Sequence, residues 1–353
     1  MNKRGKLIWA TGISGCGRKE YLDKLKKLCG KQNKKIKIYN VGDIMFEIAK
    51  NNSIHITHEK VLDTPQPTLN ALRAAVFERI LGQINQDLEK NDIVIINVHT
   101  VFFWKDYWLS AYNVQYIRKF NPDMFINFID SADKILERLQ RKGQWKNQGL
   151  TEQIVWLWQN MEYNNTENYK YIFDEIKSFH TIPKDQPEET LYYLIFEPWR
   201  PIVYAQMPIS HLDEQELEKV HEFIRWLWKY FIIIDPLTID IKYSKAENEA
   251  DMRARNNQTV IRDRYWHIGQ CELCIAYFVK IVFTAGVVDE TREAIDTNKD
   301  IYWIFPKDPG PFEKYLVDPK KIYRDLDAFK KHVEDVMVPE IEKRKEKYLN
   351  KEK

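Results

Sequence analysis

The stretch 7-LIWATGISGCGRKE-20 decides the fold of the first half of this 353-residue chain. Its first five residues have the apolar, β-favouring character of a buried strand. Glycines follow at positions 12, 15 and 17, and the charged run from residue 18 onward has the pattern of a helix. A strand, a glycine turn and a helix in this order predict the first unit of a parallel α/β sheet.

The glycine turn has the spacing of a phosphate-binding loop, G-x-x-x-x-G-K-[ST], through Gly12 and Gly17. Backbone N–H groups of such a turn, Gly15 included, can point at phosphate oxygens, and the following helix adds about half a positive charge. We therefore expect ATP or another nucleotide to bind here; a purely structural turn is the alternative. Arg18 stands where the motif has lysine and can replace it as a phosphate contact. Lys19 stands where the motif has the hydroxyl that binds Mg²⁺, so a magnesium ion would need other ligands.

Short apolar runs alternate with helical patterns through the first half of the chain. The predicted strands are 7–11, 36–41, 93–98 and 124–129, and the predicted helices lie near 19–30, 43–50, 68–90 and 131–142. The segment 150–180 has a helical pattern in which Trp156 and Trp158 are expected to be core residues. The asparagine-rich segment 160–168 and the Pro/Asp-rich segment 182–188 indicate surface turns.

The alternation starts again after Pro198, which places a domain boundary near residue 197. Strands are predicted at 202–207, 231–235, 271–279 and 301–305, with helices at 212–230 and near 287–297. The charged tail, 318–352, is predicted to be helical.

Composition narrows the class of protein. The formal net charge is only +2, which gives no electrostatic case for a specific nucleic-acid partner. No window has the roughly 18 apolar residues of a membrane helix, and four cysteines do not make a disulfide framework in a chain of this length. We therefore expect a reduced, cytoplasmic protein without a membrane partner. Cys271-x-x-Cys274 lacks a second cysteine pair, so strand packing is expected there and no metal site is predicted.

Residues 5–180 resemble the archaeal type of adenylate kinase. The matching pieces, in the same order and at similar spacing, are the glycine loop, 40-NVGDIMFEIAK-50, 93-IVIINVHT-100 and 120-FNPDMFINFIDSADKILERL-139. The resemblance implies a P-loop fold with a nucleoside-monophosphate site, and it places His99 at the nucleotide; a core or turn histidine is the alternative. Asn97 replaces the family's aspartate, and the lid 138-RLQRKGQWKNQG-149 lacks its arginine–aspartate pattern. We therefore expect a degenerate kinase-like domain, with an active nucleoside-monophosphate kinase as the alternative.

Residues 200–310 resemble the nucleoside 2-deoxyribosyltransferase-like superfamily. The pieces are 203-VYAQMPIS-210, 231-FIIIDP-236, 260-VIRDRYWHIGQCELCIAY-277 and 284-TAGVVDETREAIDTNKDIYWIFP-306. The resemblance implies a Rossmann-like (flavodoxin-like) domain that cleaves or exchanges an N-glycosidic bond. It makes Glu290 the nucleophile, in the first turn of a helix after Gly286, with Tyr204 holding it by a hydrogen bond. Asp263 would orient the base or sugar, or transfer a proton to the leaving base. A solvated helix face, a helix cap and strand packing are the alternatives for Glu290, Asp263 and Tyr204.

Together these features predict an α/β protein of two domains. Residues 1–197 form the P-loop adenylate-kinase-like domain, and residues 198–353 form the deoxyribosyltransferase-like domain with a C-terminal helix. The expected partner is a nucleoside or nucleotide substrate, and the resemblance adds a homo-oligomer. A non-catalytic nucleotide sensor is a further hypothesis. The sequence leaves open the base, the sugar, the phosphate state and the choice between hydrolase and transferase.

Overall fold

The computed structural model describes residues 4–239 and 249–351. The chain divides into two compact units. Unit 1 comprises Met1–Glu188 and Ile241–Gln258, and unit 2 comprises Glu189–Asp240 and Thr259–Lys353. The predicted boundary between residues 197 and 198 stays a prediction.

Unit 1 alternates strands and helices from its first described residues. Its strands are β1 (Lys6–Thr11), β2 (Ile36–Asn40), β3 (Ile93–Asn97), β4 (Val101–Trp104), β5 (Tyr107–Ser110), β6 (Met124–Ile129) and β7 (Ser178–Pro183). Its helices are α1 (Arg18–Lys31), α2 (Val41–Asn51), α3 (Gln66–Lys90), α4 (Val114–Phe120), α5 (Ala132–Gln140) and α6 (Glu152–Tyr169). Helix α7 (Glu188–Phe196) then leads into unit 2.

Five of these strands form a parallel sheet in the order β2-β3-β1-β6-β7. Strands β3 and β6 are buried along their whole length, as expected for strands covered by helices on both faces. Strand β1 is central, with Ala10 beside Asn97 of β3 and Thr11 beside Asn127 of β6. The glycine turn therefore begins at the carboxyl edge of the sheet, where open α/β sheets bind ligands. Strands β4 and β5 form a separate antiparallel hairpin.

The core on one face of this sheet is aromatic. The Trp9 ring lies 5.9 Å from the Phe77 ring of α3 and 5.7 Å from the Phe120 ring of α4. Each side chain is at most 5% exposed, and full burial of a phenylalanine stabilises a fold by about 1.5–3 kcal/mol. These contacts fix α3 and α4 against the strand that carries the glycine turn.

Two sequence predictions in unit 1 were wrong. Helix α6 runs without interruption through 160–168, where asparagines had indicated a turn. Its buried face, which includes Trp156, Trp158 and Glu162, overrides the weak helix propensity of asparagine. The helical prediction for 150–180 also missed strand β7, whose last three residues are buried. The burial predicted for both tryptophans is confirmed.

Unit 2 has its own five-stranded parallel sheet. Its strands are β8 (Ile202–Gln206), β9 (Ile232–Ile234), β10 (Leu273–Tyr277), β11 (Asp300–Ile304) and β12 (Ile322–Tyr323), in the order β12-β11-β10-β8-β9. Its helices are α8 (Glu214–Leu227), α9 (Glu249–Ile261), whose last residues belong to this unit, α10 (Ala285–Asp296), α11 (Pro311–Leu316), α12 (Leu326–His332) and α13 (Val338–Lys351). A π-helical turn, Arg262–His267, follows α9 directly.

This strand order is that of flavodoxin-like sheets. The predicted fold class, α/β with parallel sheets and a C-terminal helix, is confirmed. The predicted helix over 318–352 was too long, because β12 and the turn at Pro319 interrupt it. Cys274 lies on β10 and Cys271 just before it, both buried, as predicted for strand packing.

Candidate functional site

A cleft of about 630 Å³ opens at the carboxyl edge of the unit 1 sheet. Its floor is the turn after β1, including Gly15, Gly17 and the first residues of α1. Its walls come from α2, from the end of β3 with His99, and from the end of α5. Gly12 lies behind this lining. The cleft therefore brings together all the predicted nucleotide-binding residues except Gly12.

The glycine turn has a backbone that side chains rarely allow. Gly12 has φ 147°, and a Cβ there would lie 2.8 Å from the Phe128 carbonyl oxygen. Gly17 has φ 81° and directly precedes α1. Both positions need glycine, so the turn is held tightly against β6 and presents its backbone to the cleft.

A buried carboxylate, Glu162 of α6, anchors the start of this turn. It accepts hydrogen bonds from the Gly12 N–H (3.0 Å), the Thr100 N–H (3.0 and 3.1 Å), the Thr100 hydroxyl (2.7 Å) and the Val101 N–H (3.0 Å). Burial raises the pKa of Glu162, and the hydrogen bonds from Thr100 and Gly12 and the charge of Arg18 oppose that shift. One side chain thus joins the glycine turn to the segment that carries His99. Sequence reasoning missed Glu162 because it lies in the asparagine-rich segment taken for a turn.

Arg18 lies in the cleft wall but is already hydrogen-bonded to backbone. Its Nη1 donates to the Gly12 carbonyl (2.6 Å) and to the Val98 carbonyl (2.7 Å). Its Nη2 lies 3.3 Å from His99 Nε2. Burial and the Arg18 charge hold the pKa of His99 well below its usual value, so this imidazole is neutral. The arrangement places a cation and a neutral ring nitrogen side by side at the cleft.

Lys19, in the first turn of α1, lines the cleft and pairs with Asp43 of α2, 3.3 Å away. A Mg²⁺ ion would need a hydroxyl or carboxylate at this place, and an ammonium group repels it. The described residues contain no group of three His, Cys, Asp or Glu side chains arranged as metal ligands. The glycine turn fits phosphate, but the residues beside it do not fit a protein-held magnesium ion.

A second arginine reaches the glycine turn from α5. Arg138 donates to the Gly15 carbonyl (2.7 Å) and pairs with Asp130, a fully buried carboxylate at the end of β6. Burial raises the pKa of Asp130 although Arg138 opposes this. Asn97, at the end of β3, donates to Asn40 Oδ1 at 2.7 Å. The cleft therefore has a fixed cation near the turn and a neutral amide pair at the ends of β2 and β3.

In unit 2, the structure brings together three residues that are far apart in sequence: Tyr204, Asp263 and Glu290. The Tyr204 hydroxyl, fully buried on β8, donates to Glu290 Oε1 of α10 at 3.1 Å. Asp263 accepts two hydrogen bonds from Arg262, at 2.8 and 3.1 Å, and lies 3.6 Å from His267 Nδ1. The result is a compact polar cluster of side chains from β8, the π-helical turn and α10.

The two carboxyl groups of this cluster have pKa values displaced in opposite directions. Burial, with the nearby Asp263 charge, raises the pKa of Glu290 well above its usual range. Burial opposes ionisation of Asp263 too, but Arg262 and His267 hold the pKa of Asp263 below its usual value. The pair therefore favours a proton on Glu290 and a charge on Asp263.

Helix α10 begins earlier than predicted. The Thr284 hydroxyl accepts a hydrogen bond from the Val287 N–H (3.2 Å), so the helix starts at Ala285. Glu290 therefore lies in the second turn of the helix, and the prediction of the first turn was wrong. Arg264, in the π-helical turn, donates to Glu293 of the same helix α10 at 2.6 and 2.9 Å.

Comparison with known proteins places the first half of the chain. Residues 11–153 match the family model described as "AAA domain". An adenylate kinase of Methanococcus aeolicus is 21% identical over 133 residues, which are 38% of this chain and 66% of that relative, just under two thirds. The N-terminal part is a kinase-like P-loop nucleotide-binding domain.

Solved structures also align with the chain. The crystal structure of TT1252 from Thermus thermophilus covers 51% of this chain and 90% of its own, at 10% identity and a TM-score of 0.32. The crystal structure of a sugar kinase from Janibacter sp. HTCC2649 covers 55% of this chain and 95% of its own, at 13% identity and a TM-score of 0.29. Because these TM-scores are low, the fold assignment rests on the chain's own strand order and register. No helix in the described ranges is long and apolar enough to cross a membrane.

Proposed function

We propose that unit 1 binds a nucleotide by its phosphates and that phosphoryl transfer between nucleotides is the reaction that its cleft serves. The observation that best supports this proposal is the excess of positive charge in the glycine-turn cleft. Six lysine or arginine side chains line it together with the glycine turn, against two carboxylates, Glu20 and Asp43. The volume of about 630 Å³ is in the range of small-molecule sites.

The chemistry of the cleft is positioning and charge stabilisation. Backbone N–H groups of the turn and the start of α1 face the phosphates, and Arg138 lies beside them on the Gly15 carbonyl. Arg141 and Lys142 line the same cleft. Fixed cations stabilise the charge that develops on a transferred phosphoryl group, which is the main protein contribution to this reaction. Since Lys19 and Asn97 replace the hydroxyl and carboxylate of related sites, we expect slow turnover.

The test is nucleotide binding followed by turnover. Calorimetry with a non-hydrolysable ATP analogue measures binding, and a panel of nucleoside monophosphates with ATP measures formation of ADP. Arg138→Gln should weaken binding about tenfold or more, since a hydrogen-bonded charge contributes about 1.5–3 kcal/mol. Arg118→Gln, on an exposed face of α4, is the control. Absence of nucleotide binding in the wild-type protein would refute the proposal, and binding without ADP would leave unit 1 a nucleotide sensor.

A second activity is proposed for unit 2: cleavage or exchange of the N-glycosidic bond of a nucleoside or nucleotide. The observation that favours it is the convergence of Tyr204, Asp263 and Glu290, from β8, the π-helical turn and α10. A carboxylate beneath C1′ stabilises or attacks the oxocarbenium-like centre that forms when the bond breaks.

The displaced pKa values indicate which group can give a proton to the leaving base. The C1′–N bond breaks and its electron pair goes to the base nitrogen, which takes the one proton held by the Asp263–Glu290 pair. Glu290 then bonds to C1′ as a carboxylate, while Arg262 keeps Asp263 ionised. Tyr204 orients Glu290 throughout by its hydrogen bond. Water or a second base displaces Glu290 and restores the pair.

Release of free base measures this activity. The purified protein is mixed with nucleosides, nucleoside monophosphates and deoxynucleotides, and the products are separated by chromatography. We expect Glu290→Ala to abolish base release and Tyr204→Phe to reduce it at least tenfold. Asp296→Asn, exposed at the end of the same helix, is the control. Base release that survives in Glu290→Ala, or none from the wild-type protein, would contradict the proposal.

A further inference from the structure

Four arginines are buried in the described part of the chain: Arg18, Arg73, Arg255 and Arg262. A buried charge is normally paired, because leaving it unpaired in a low-dielectric interior is costly. Arg255 and Arg262 each make a two-pronged ion pair with a carboxylate. Arg18 donates to two backbone carbonyls beside the glycine turn. Arg73 also has two neutral acceptors on Nη1, but its Nη2 lacks a contact such as the one that Arg18 makes with His99.

Arg73 lies on α3 and is 8% exposed. Its Nη1 donates to Asn70 Oδ1 (3.1 Å) and to the Ser110 carbonyl (3.2 Å). Within residues 4–239 and 249–351, no carboxylate lies within ion-pair distance of it, and its Nε and Nη2 groups have no hydrogen-bond acceptor. Burial lowers the pKa of Arg73 to about 10, with no opposite charge to offset it. Three of its five N–H groups therefore have no hydrogen-bond partner among the described residues.

A second cavity of about 410 Å³ also reaches this arginine and is lined by α3, by β5 of the hairpin and by the segment that leads into α4. Arg73 lines both this cavity and the glycine-turn cleft. The other walls include Trp108, Tyr112 and Tyr116, with the amides of Asn70 and Asn113. Trp108 is 38% exposed and Tyr112 is 36% exposed, so the rings are open to an incoming molecule.

We propose that this second cavity, which we call the hairpin cavity, binds a small organic anion that carries a planar ring. The anion lies on the free N–H groups of Arg73, and the ring packs against Trp108 and Tyr112. A guanidinium matches the paired oxygens of a phosphate or a carboxylate, and aromatic faces bind planar rings with little sequence or ring specificity. The hairpin cavity shares Arg73 and Ala111 with the glycine-turn cleft, and its proposed ligand does not depend on phosphoryl transfer.

The test is calorimetry on the full chain, with the cleft first saturated by the non-hydrolysable ATP analogue. The probes are AMP (ring with phosphate), adenosine (ring alone), inorganic phosphate (anion alone) and benzoate (ring with carboxylate). We expect AMP or benzoate to bind more tightly than either fragment. The tighter of the two identifies the anionic group that the site prefers.

Two variants separate the parts of the site. Arg73→Gln should weaken binding of the ring anion about tenfold or more and leave adenosine unchanged, because only the anion contacts it. Trp108→Ala should weaken both about tenfold. Arg79→Gln, exposed on the same helix, and His58→Ala, in the wall of the cleft, should change neither. If Arg73→Gln does not fold, Arg73→Lys keeps the charge without the fork and should still weaken the ring anion.

Three outcomes overturn the inference: no ring anion binds, affinity is the same in wild type and in folded Arg73 variants, or His58→Ala abolishes binding while Trp108→Ala does not. The experiment distinguishes failure of this inference from failure of the kinase proposal. If the ATP analogue fails to bind but AMP or benzoate binding depends on Arg73 and Trp108, the hairpin cavity stands and the kinase proposal falls. If the analogue binds and no ring anion does, the reverse holds.

Discussion

Replacing Glu162 with glutamine removes the carboxylate that anchors the glycine turn and changes almost nothing in size. The wild-type side chain serves four donors, of which three are backbone N–H groups. An amide has one acceptor oxygen, so glutamine can accept hydrogen bonds only from the donors on that side. The donors on the other side would face the NH₂ group of the glutamine, which cannot accept. In the better of its two orientations, the Gly12 N–H loses its acceptor.

The magnitude follows from these contacts. A hydrogen bond to a charged acceptor contributes about 1.5–3 kcal/mol, so the lost Gly12 bond and the weakened Thr100 bond cost about 3 kcal/mol together. Burial of the charge, which raises the pKa of Glu162, returns part of this. We expect a net loss of about 2 kcal/mol in the free energy of unfolding, or about 4–8 °C in Tm for a unit of this size. Glu162→Ala leaves three buried N–H groups without an acceptor and should cost about 4 kcal/mol or more.

The assay is thermal and urea unfolding followed by tryptophan fluorescence, combined with calorimetric titration of the ATP analogue. Since Gly12 begins the turn, nucleotide affinity should fall about tenfold in Glu162→Gln at temperatures where the protein remains folded. Asn164→Gln, at an exposed position of the same helix, should change stability by less than about 0.5 kcal/mol. Unchanged unfolding and unchanged nucleotide affinity in Glu162→Gln would refute the role assigned to this carboxylate.

Three further predictions concern other parts of the chain. Glu290 has a raised pKa, so its contribution to stability is complete below its unfolded value of about 4.3 and is lost as pH rises through the folded value. The Tm of Glu290→Gln should therefore rise relative to the wild-type Tm as the pH goes from 5 to 8. The same Tm difference between variant and wild type at both pH values would contradict this. Glu152→Gln leaves the buried Arg255 without its partner carboxylate and should cost about 3 kcal/mol, measured by urea unfolding, whereas Glu152→Leu combined with Arg255→Met should recover most of the loss. Gly12→Ala should cost at least about 2 kcal/mol because its Cβ would meet the Phe128 carbonyl, while Gly30→Ala, with open space near the end of α1, should gain up to about 1 kcal/mol; equal Tm changes would refute the distinction.

Some of the candidate site was open to sequence reasoning. The glycine turn and its position after β1 follow from local spacing, and Tyr204, Asp263 and Glu290 were named from a resemblance before the structure brought them together. Their catalytic roles remain predictions. The sequence also placed Arg18 at the cleft, but only the structure shows that its guanidinium is engaged by the carbonyls of Gly12 and Val98.

The asparagine-rich segment marks the limit of local reasoning. Its residues favour a turn by propensity, yet α6 passes through it because one side of that helix is buried against β6 and β4. Glu162 looked like an ordinary polar residue on that segment. Its four donors come from residues 61 to 150 positions away, and no local pattern encodes such a meeting.

The sequence by itself determined the α/β class, the phosphate-type turn and the alternation of strands and helices, because these depend on short-range periodicity and on glycine's conformational freedom. Only the tertiary structure decided which charges are paired. It gave Glu162 four donors and gave Arg255 a carboxylate, whereas no carboxylate of the described residues pairs with Arg73. The physical reason is that the free energy of a buried charge depends on partners brought together by folding, whatever the separation along the chain.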